Sequence, residues 1–191
     1  TYQVYFQGRD SYVFDVNSRS LSSSGVYYQM LTGTCTLASG VAGNNYIESG
    51  TFDAVEYNVS PYGDNRFGFG GATYPSTIYM GSGTWRNGVR SLTITTTNLT
   101  LYPETSTLIQ VEGDPWGGTL GLGGLTFYNV ELSASSYQTT ITGSNTFNTL
   151  TINAPKTVKF TSGTTQTVNS FVVVNDGTNR TVLSSVTADS I

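Results

Sequence analysis

The sequence predicts an all-β chain wound into a parallel β-solenoid (β-helix) with rungs of about 20 residues. Three observations lead there: a composition suited to short strands, an absence of helical periodicity, and a strand series that recurs at near-constant spacing. Charged residues make up only 10% of the 191, well below the usual quarter, and Thr, Ser, Asn and 22 glycines take their place. Aromatic residues reach 13%, including 13 tyrosines, which argues against disorder. Thr, Val, Tyr and Phe favour pleated surfaces, and Gly and Asn favour turns.

In chain order, alternating segments run over Tyr2–Phe6, Tyr12–Val16, Val26–Leu31, Ser76–Met80, Ser91–Ile94, Leu99–Tyr102 and Thr107–Val111. They continue over Leu125–Leu132, Thr139–Thr142, Thr149–Ile152, Thr157–Phe160 and Thr167–Val174. Clusters of Gly, Asn, Ser, Asp and Pro separate them, as turn chemistry requires. In the C-terminal half, Tyr128–Leu132 aligns with Asn148–Ile152 and Asn169–Val173. Leu132, Ile152 and Val172 step by 20, and an interleaved series, Ile141, Phe160 and Val182, steps by 19 and 22. Val59, Met80 and Leu101 extend the pattern upstream in steps of 21.

Two interleaved strand series at one period imply a single structural unit that repeats. Each rung then covers its neighbour's apolar side. The alternative is an antiparallel β-sandwich, whose turns also recur every 8–12 residues or so. The first residues fit the period worst. The expected division is therefore an N-terminal β cap or small β region over residues 1–50 and solenoid repeats over 51–191. Thr1 is no natural translation start, so a leader or longer N-terminal part is expected ahead of it.

Composition also narrows the partners. Net charge is −4 and the eight Lys and Arg are spread thinly, with no basic patch for nucleic acid. No apolar run approaches the 18 or so residues of a membrane-spanning helix. Cys35 is the single cysteine, which rules out an internal disulfide or a cysteine-based zinc site, and strand alternation points it inward.

Catalytic chemistry finds few candidates. The chain has no histidine, which removes His-based triads, His-ligated metals and the commonest general base near neutral pH. Paired carboxylates remain: Asp10 with Asp15, Asp53 with Glu56, and Glu112 with Asp114. Glycoside hydrolysis needs two carboxyls about 5–10 Å apart. On a strand, Glu112 and Asp114 point the same way, within about 7 Å. With Trp116 beside them to stack on a sugar, they form the best glycan or ligand contact, and the competing reading is a Gly-Asp-Pro turn. Gly63-Asp64-Asn65-Arg66 and Asn175–Asn179 offer oxygen ligands without a calcium-loop spacing, so they read as turns and no metal or cofactor is expected. Gly117–Gly124 lacks the Lys-Ser/Thr of a phosphate loop and reads as a tight crossing or a bulged strand. Tyr27, Tyr28, Tyr57, Tyr62, Tyr74 and Tyr79 are interface candidates, since tyrosine combines area with a polar tip. The competing reading is ordinary strand propensity.

The order of motifs resembles a known group. Thr51-Phe52 with Tyr57-Asn58-Val59, Ser76–Trp85, Leu99–Ile109, Gly123–Val130, Thr140–Leu150 and Lys156–Val168 together resemble the Gly/Thr/Asn-rich β-helical repeats of phage structural proteins and of large bacterial surface proteins. The resemblance covers about residues 50–191 and transfers no catalytic residue. It implies a structural or binding component of a phage virion, such as a head decoration, tail or fibre protein, without catalytic activity. The implied location is the virion or the extracellular cell surface. The implied partners are further copies of the chain as a homo-oligomer, other virion or surface-layer proteins, and a cell-surface glycan. A bacterial cell-surface adhesin or filament subunit is the alternative, and a glycan-degrading, tailspike-like enzyme is the third reading.

Overall fold

The computed structural model describes residues 3–17, 20–60, 67–69, 73–111, 117–133, 137–175 and 177–186. Among these residues there is no helix, and the chain winds through about 7 turns of a parallel β-solenoid at about 22 residues per turn. Three parallel sheets form its walls. The first holds β1 (Val4–Gly8), β2 (Tyr12–Phe14), β3 (Ser20–Leu37), β4 (Ala42–Asp53), β5 (Phe67–Phe69), β6 (Ser76–Tyr79) and β9 (Leu99–Tyr102). The second stacks β7 (Thr84–Asn87), β10 (Thr107–Gln110), β12 (Thr126–Leu132), β14 (Thr146–Asn153) and β16 (Thr167–Val174). The third stacks β8 (Leu92–Thr93), β11 (Gly118–Gly121), β13 (Gln138–Thr142), β15 (Lys156–Phe160) and β17 (Thr181–Ser185).

Alternation along each strand drives the stacking. In β4 the inward residues Asn45, Ile47 and Phe52 are buried while Asn44, Tyr46 and Glu48 face outward. Inward residues of successive rungs fall in columns, such as Trp85, Leu108, Val130, Leu150 and Phe171. A second column runs Leu120, Ile141, Phe160. Each rung thus removes its neighbour's apolar face from water, the dominant favourable term in folding. Cys35 points inward as alternation predicts, and burial pushes its thiol pKa up to about 12.

The block alignment of Tyr128–Leu132 with Asn148–Ile152 and Asn169–Val173 matches the observed register, but the constant step does not hold. Ile152 pairs with Val173, not Val172. Phe160 pairs with Ser185, and Val182 lies beside Thr157. Leu101 pairs with Ile78 rather than Met80, and Val59 bridges to Trp85. The cause is corner length: paired residues are separated by as few as 17 positions (Thr34 to Thr51) and as many as 28 (Leu92 to Leu120). A one-residue slip turns a side chain to the opposite face, so a fixed step soon marks the wrong residues.

Five strands lie outside the twelve alternating segments. Gly, Asn and Ser obscure β4, whose pairing with β3 carries several register shifts, and the division expected at residue 50 falls inside this strand. The short strands β5 and β7 were also missed. Gly117–Gly124 contains β11, and Thr181–Ser185 forms β17.

The corner after the first sheet uses left-handed backbone on three successive rungs, at Val55 (φ 55°), Gly81 (φ 68°) and Glu104 (φ 47°). Backbone bonds continue through it: Ser82 N–H donates to Val55 O at 2.8 Å and Thr105 N–H to Gly81 O at 3.1 Å. The Glu104 carboxylate accepts from Gly81 N–H at 2.7 Å.

Candidate functional site

Parallel stacking places outward side chains from residues about one rung apart side by side, which turns scattered residues into rows. On the outer face of β1, β3 and β4, Tyr5, Tyr27 and Tyr46 form a continuous stack, with ring centroids 4.9 Å and 4.8 Å apart and both pairs tilted by 18°. Gln3 Nε2 donates to the Tyr27 hydroxyl at 3.2 Å. Burial and the neighbouring Tyr46 and Tyr5 raise the Tyr27 pKa above that of a free phenol. A second pair, Tyr79 and Tyr102, stacks at 4.7 Å and 7°.

Two residues along each strand, a polar row runs parallel to the tyrosines. Gln7 donates its amide N–H to Gln29 Oε1, and Gln29 donates to Glu48 Oε2. Beyond this row the third strand bulges: pairing with β4 jumps from Gln29–Ser49 to Thr34–Thr51, which pushes Leu31 and Thr32 outward. The bulge and the exposed ring of Tyr74 wall a cleft of about 400 Å³ whose lining also includes Gly8, Ser49 and Thr73.

The tyrosine candidates separate clearly. Tyr27 and Tyr79 lie in outward stacks, and Tyr74 is 54% exposed on the cleft. Tyr28 is a correction: it is wholly buried, its ring meets Phe6, Phe14 and Phe52, and its hydroxyl donates to Asn45 Oδ1 at 3.1 Å. The reason is strand alternation, which sends the adjacent residues Tyr27 and Tyr28 to opposite faces. Tyr57 is half-buried against the core. Tyr62, the trio Glu112, Asp114 and Trp116, the segment Gly63–Arg66 and Asp176 lie outside the described residues. Among the described residues no group of three or more His, Cys, Asp or Glu is placed to hold a metal ion.

The reading of the sequence missed Tyr5, Tyr46, Gln7, Gln29 and Glu48. A signal was present, since Tyr5, Tyr27 and Tyr46 recur at about the rung spacing and Gln7 and Gln29 repeat the Tyr5-to-Tyr27 interval.

Lys156 is an unexpected core residue. It is 1% exposed, and among the described residues its Nζ has no hydrogen-bond partner. The Oγ1 of Thr181, its partner in register, is likewise buried and unbonded. Burial pulls the Lys156 pKa down to about 8. The unfolded chain therefore binds this proton more tightly than the folded one. The resulting penalty is full below pH 8 and fades as pH climbs toward the ordinary lysine value near 10.5. Lys156→Met is expected to stabilise the fold at pH 7 by about 2–3 kcal/mol. Paired urea titrations of the two proteins from pH 7 to 10.5 should show that advantage shrinking, and a gap independent of pH would contradict a charged lysine in the core.

No helix among the described residues is long and apolar enough to cross a membrane, which leaves membrane-spanning strands aside. No protein-family profile, curated protein or solved structure matches the chain.

Proposed function

We propose that this chain is a structural and binding component of a phage virion, a head decoration, tail or fibre protein, working as a stiff rod without a catalytic step. The observation that carries the reading is the rung formed by β16 and β17. Phe171 continues the column of Leu150, Val173 that of Ile152, and Leu183 that of Val158, yet Phe171 and Leu183 are 47% and 48% exposed. Residues of a core column left open to water, on strands with one edge unpaired among the described residues, favour a further layer of parallel strand over them. A rod whose rungs are held by continuous backbone pairing suits a projecting, repeated part. The tyrosine rows add amphipathic contact area along its side.

Two measurements test this. Immunogold electron microscopy of the source should label virions, and label confined to a cell envelope or its filaments would replace the virion reading with the adhesin one. In solution, the chain should sediment as an assembly, and Val173→Lys with Leu183→Lys should return it to monomers that keep their β circular dichroism. A wild-type chain that stays monomeric at high concentration would remove the support drawn from the open rung.

A further inference from the structure

The cleft beside the Gln7–Gln29–Glu48 row has a chemistry that selects its ligand, and we propose that it binds a neutral saccharide. Its floor is the outer face of β1, β3 and β4, where β3 is paired on both sides. Both edges of β3 are engaged, so an extended peptide cannot add as a strand within this face, and recognition from above it falls to side chains.

Those side chains form a short polarised chain. Gln7 donates to Gln29, which donates to Glu48, and each amide keeps a second N–H beyond the one used. The Gln7 carbonyl and the other Glu48 oxygen add acceptors. Donors and acceptors therefore alternate along a row that spans about 10 Å across three strands. Adjacent hydroxyls of a sugar, each both donor and acceptor, match such a row. Thr73, exposed, lines the same space with its hydroxyl-bearing side chain.

The walls supply the second half of the recognition. Leu31, on the bulge, and Tyr74 both line the cleft and are 51% and 54% exposed. They offer an apolar surface and a flat ring to the C–H face of a pyranose. A cleft of about 400 Å³ lies within the range of small-ligand sites, with few polar groups placed among apolar walls. Among the described residues no lysine or arginine lines the cleft and one carboxylate does, which disfavours phosphate, sulfate and uronic or sialic acids. The site deepens the binding part of the function proposed above, and its loss would leave the rod-like structural role standing.

The test titrates the intact chain calorimetrically with tetrasaccharides of glucose, mannose, galactose and N-acetylglucosamine, alongside sialylated and sulfated oligosaccharides. At least one neutral tetrasaccharide should saturate the protein at millimolar concentration or below, and the charged series should not bind. Tyr74→Ala should weaken that binding about tenfold. Its melting temperature should stay unchanged, since the ring is exposed, and Tyr102→Ala, in the Tyr79 stack that does not line the cleft, should bind like the wild type. The proposal is overturned if no neutral saccharide saturates by about 10 mM, if a charged one binds best, or if Tyr74→Ala binds undiminished. Virion labelling and sedimentation would be unaffected by any of these outcomes, so the two proposals fail separately.

Discussion

Replacing Trp85 with alanine is expected to lower the unfolding free energy by about 3–5 kcal/mol. The indole is wholly buried at the meeting point of three rungs. It sits edge-on to Phe52, Phe67 and Phe69, with centroids 5.9, 5.2 and 5.1 Å away. Its Nε1–H donates to Met80 O at 2.8 Å. Truncation removes the apolar burial, leaves a cavity that a continuously paired backbone cannot close, and orphans the Met80 carbonyl. Trp85→Phe keeps most of the volume but not the donor, so a smaller loss, about 1–3 kcal/mol, should follow. Urea unfolding followed by far-ultraviolet circular dichroism reads both. Because each rung contacts only its neighbours, amide exchange should speed up first in β4, β7 and β10. A loss under about 1 kcal/mol for the alanine variant would mean that this column is not the centre of the core.

Gly81→Ala should be nearly as damaging, at more than about 3 kcal/mol. Two effects add. Gly81 holds a left-handed conformation (φ 68°) that disfavours a side chain, and an added Cβ would lie 1.8 Å from the Val55 carbonyl oxygen. That oxygen belongs to the backbone of the preceding rung and already accepts from Ser82, so it cannot swing aside as a side chain would. Relief requires parting two rungs at the corner. Gly163→Ala is the control: its φ is also positive (73°) but its Cβ would meet nothing within 4 Å, so only the backbone strain applies, about 1 kcal/mol. Thermal melts of the two variants separate close approach from strain, and equal effects would leave the rung contact without weight.

Trp85 and Gly81 also mark the two sides of what could be read in the sequence. Trp85 is the last residue of Ser76–Trp85, one of the motifs carrying the family resemblance, yet its β7 strand fell outside the alternating segments. Gly81 looked like any turn glycine. Its counterparts in the same corner are Val55 and Glu104, neither a residue type that announces left-handed backbone. The cleft was harder still. Tyr74 was singled out, but Gln7, Gln29, Leu31 and Glu48 are unremarkable in sequence and converge only because of the register of β1, β3 and β4 and one bulge between them.

What the sequence determined alone is an all-β class and a preference for winding: alternating Thr-, Val- and Tyr-rich strands, frequent turns and a recurring interval near 20 residues favour stacked parallel rungs over an antiparallel sandwich, and the structure has the stacked rungs. Such patterning is local, and it survives in one dimension. The tertiary structure decided the register, and through it which tyrosine is core and which is surface, where Lys156 is buried, and which side chains share the cleft. The physical reason is that strand side chains have a period of 2 while corners vary in length by several residues. Each corner therefore resets which face a residue occupies, and only the paired backbone records the result.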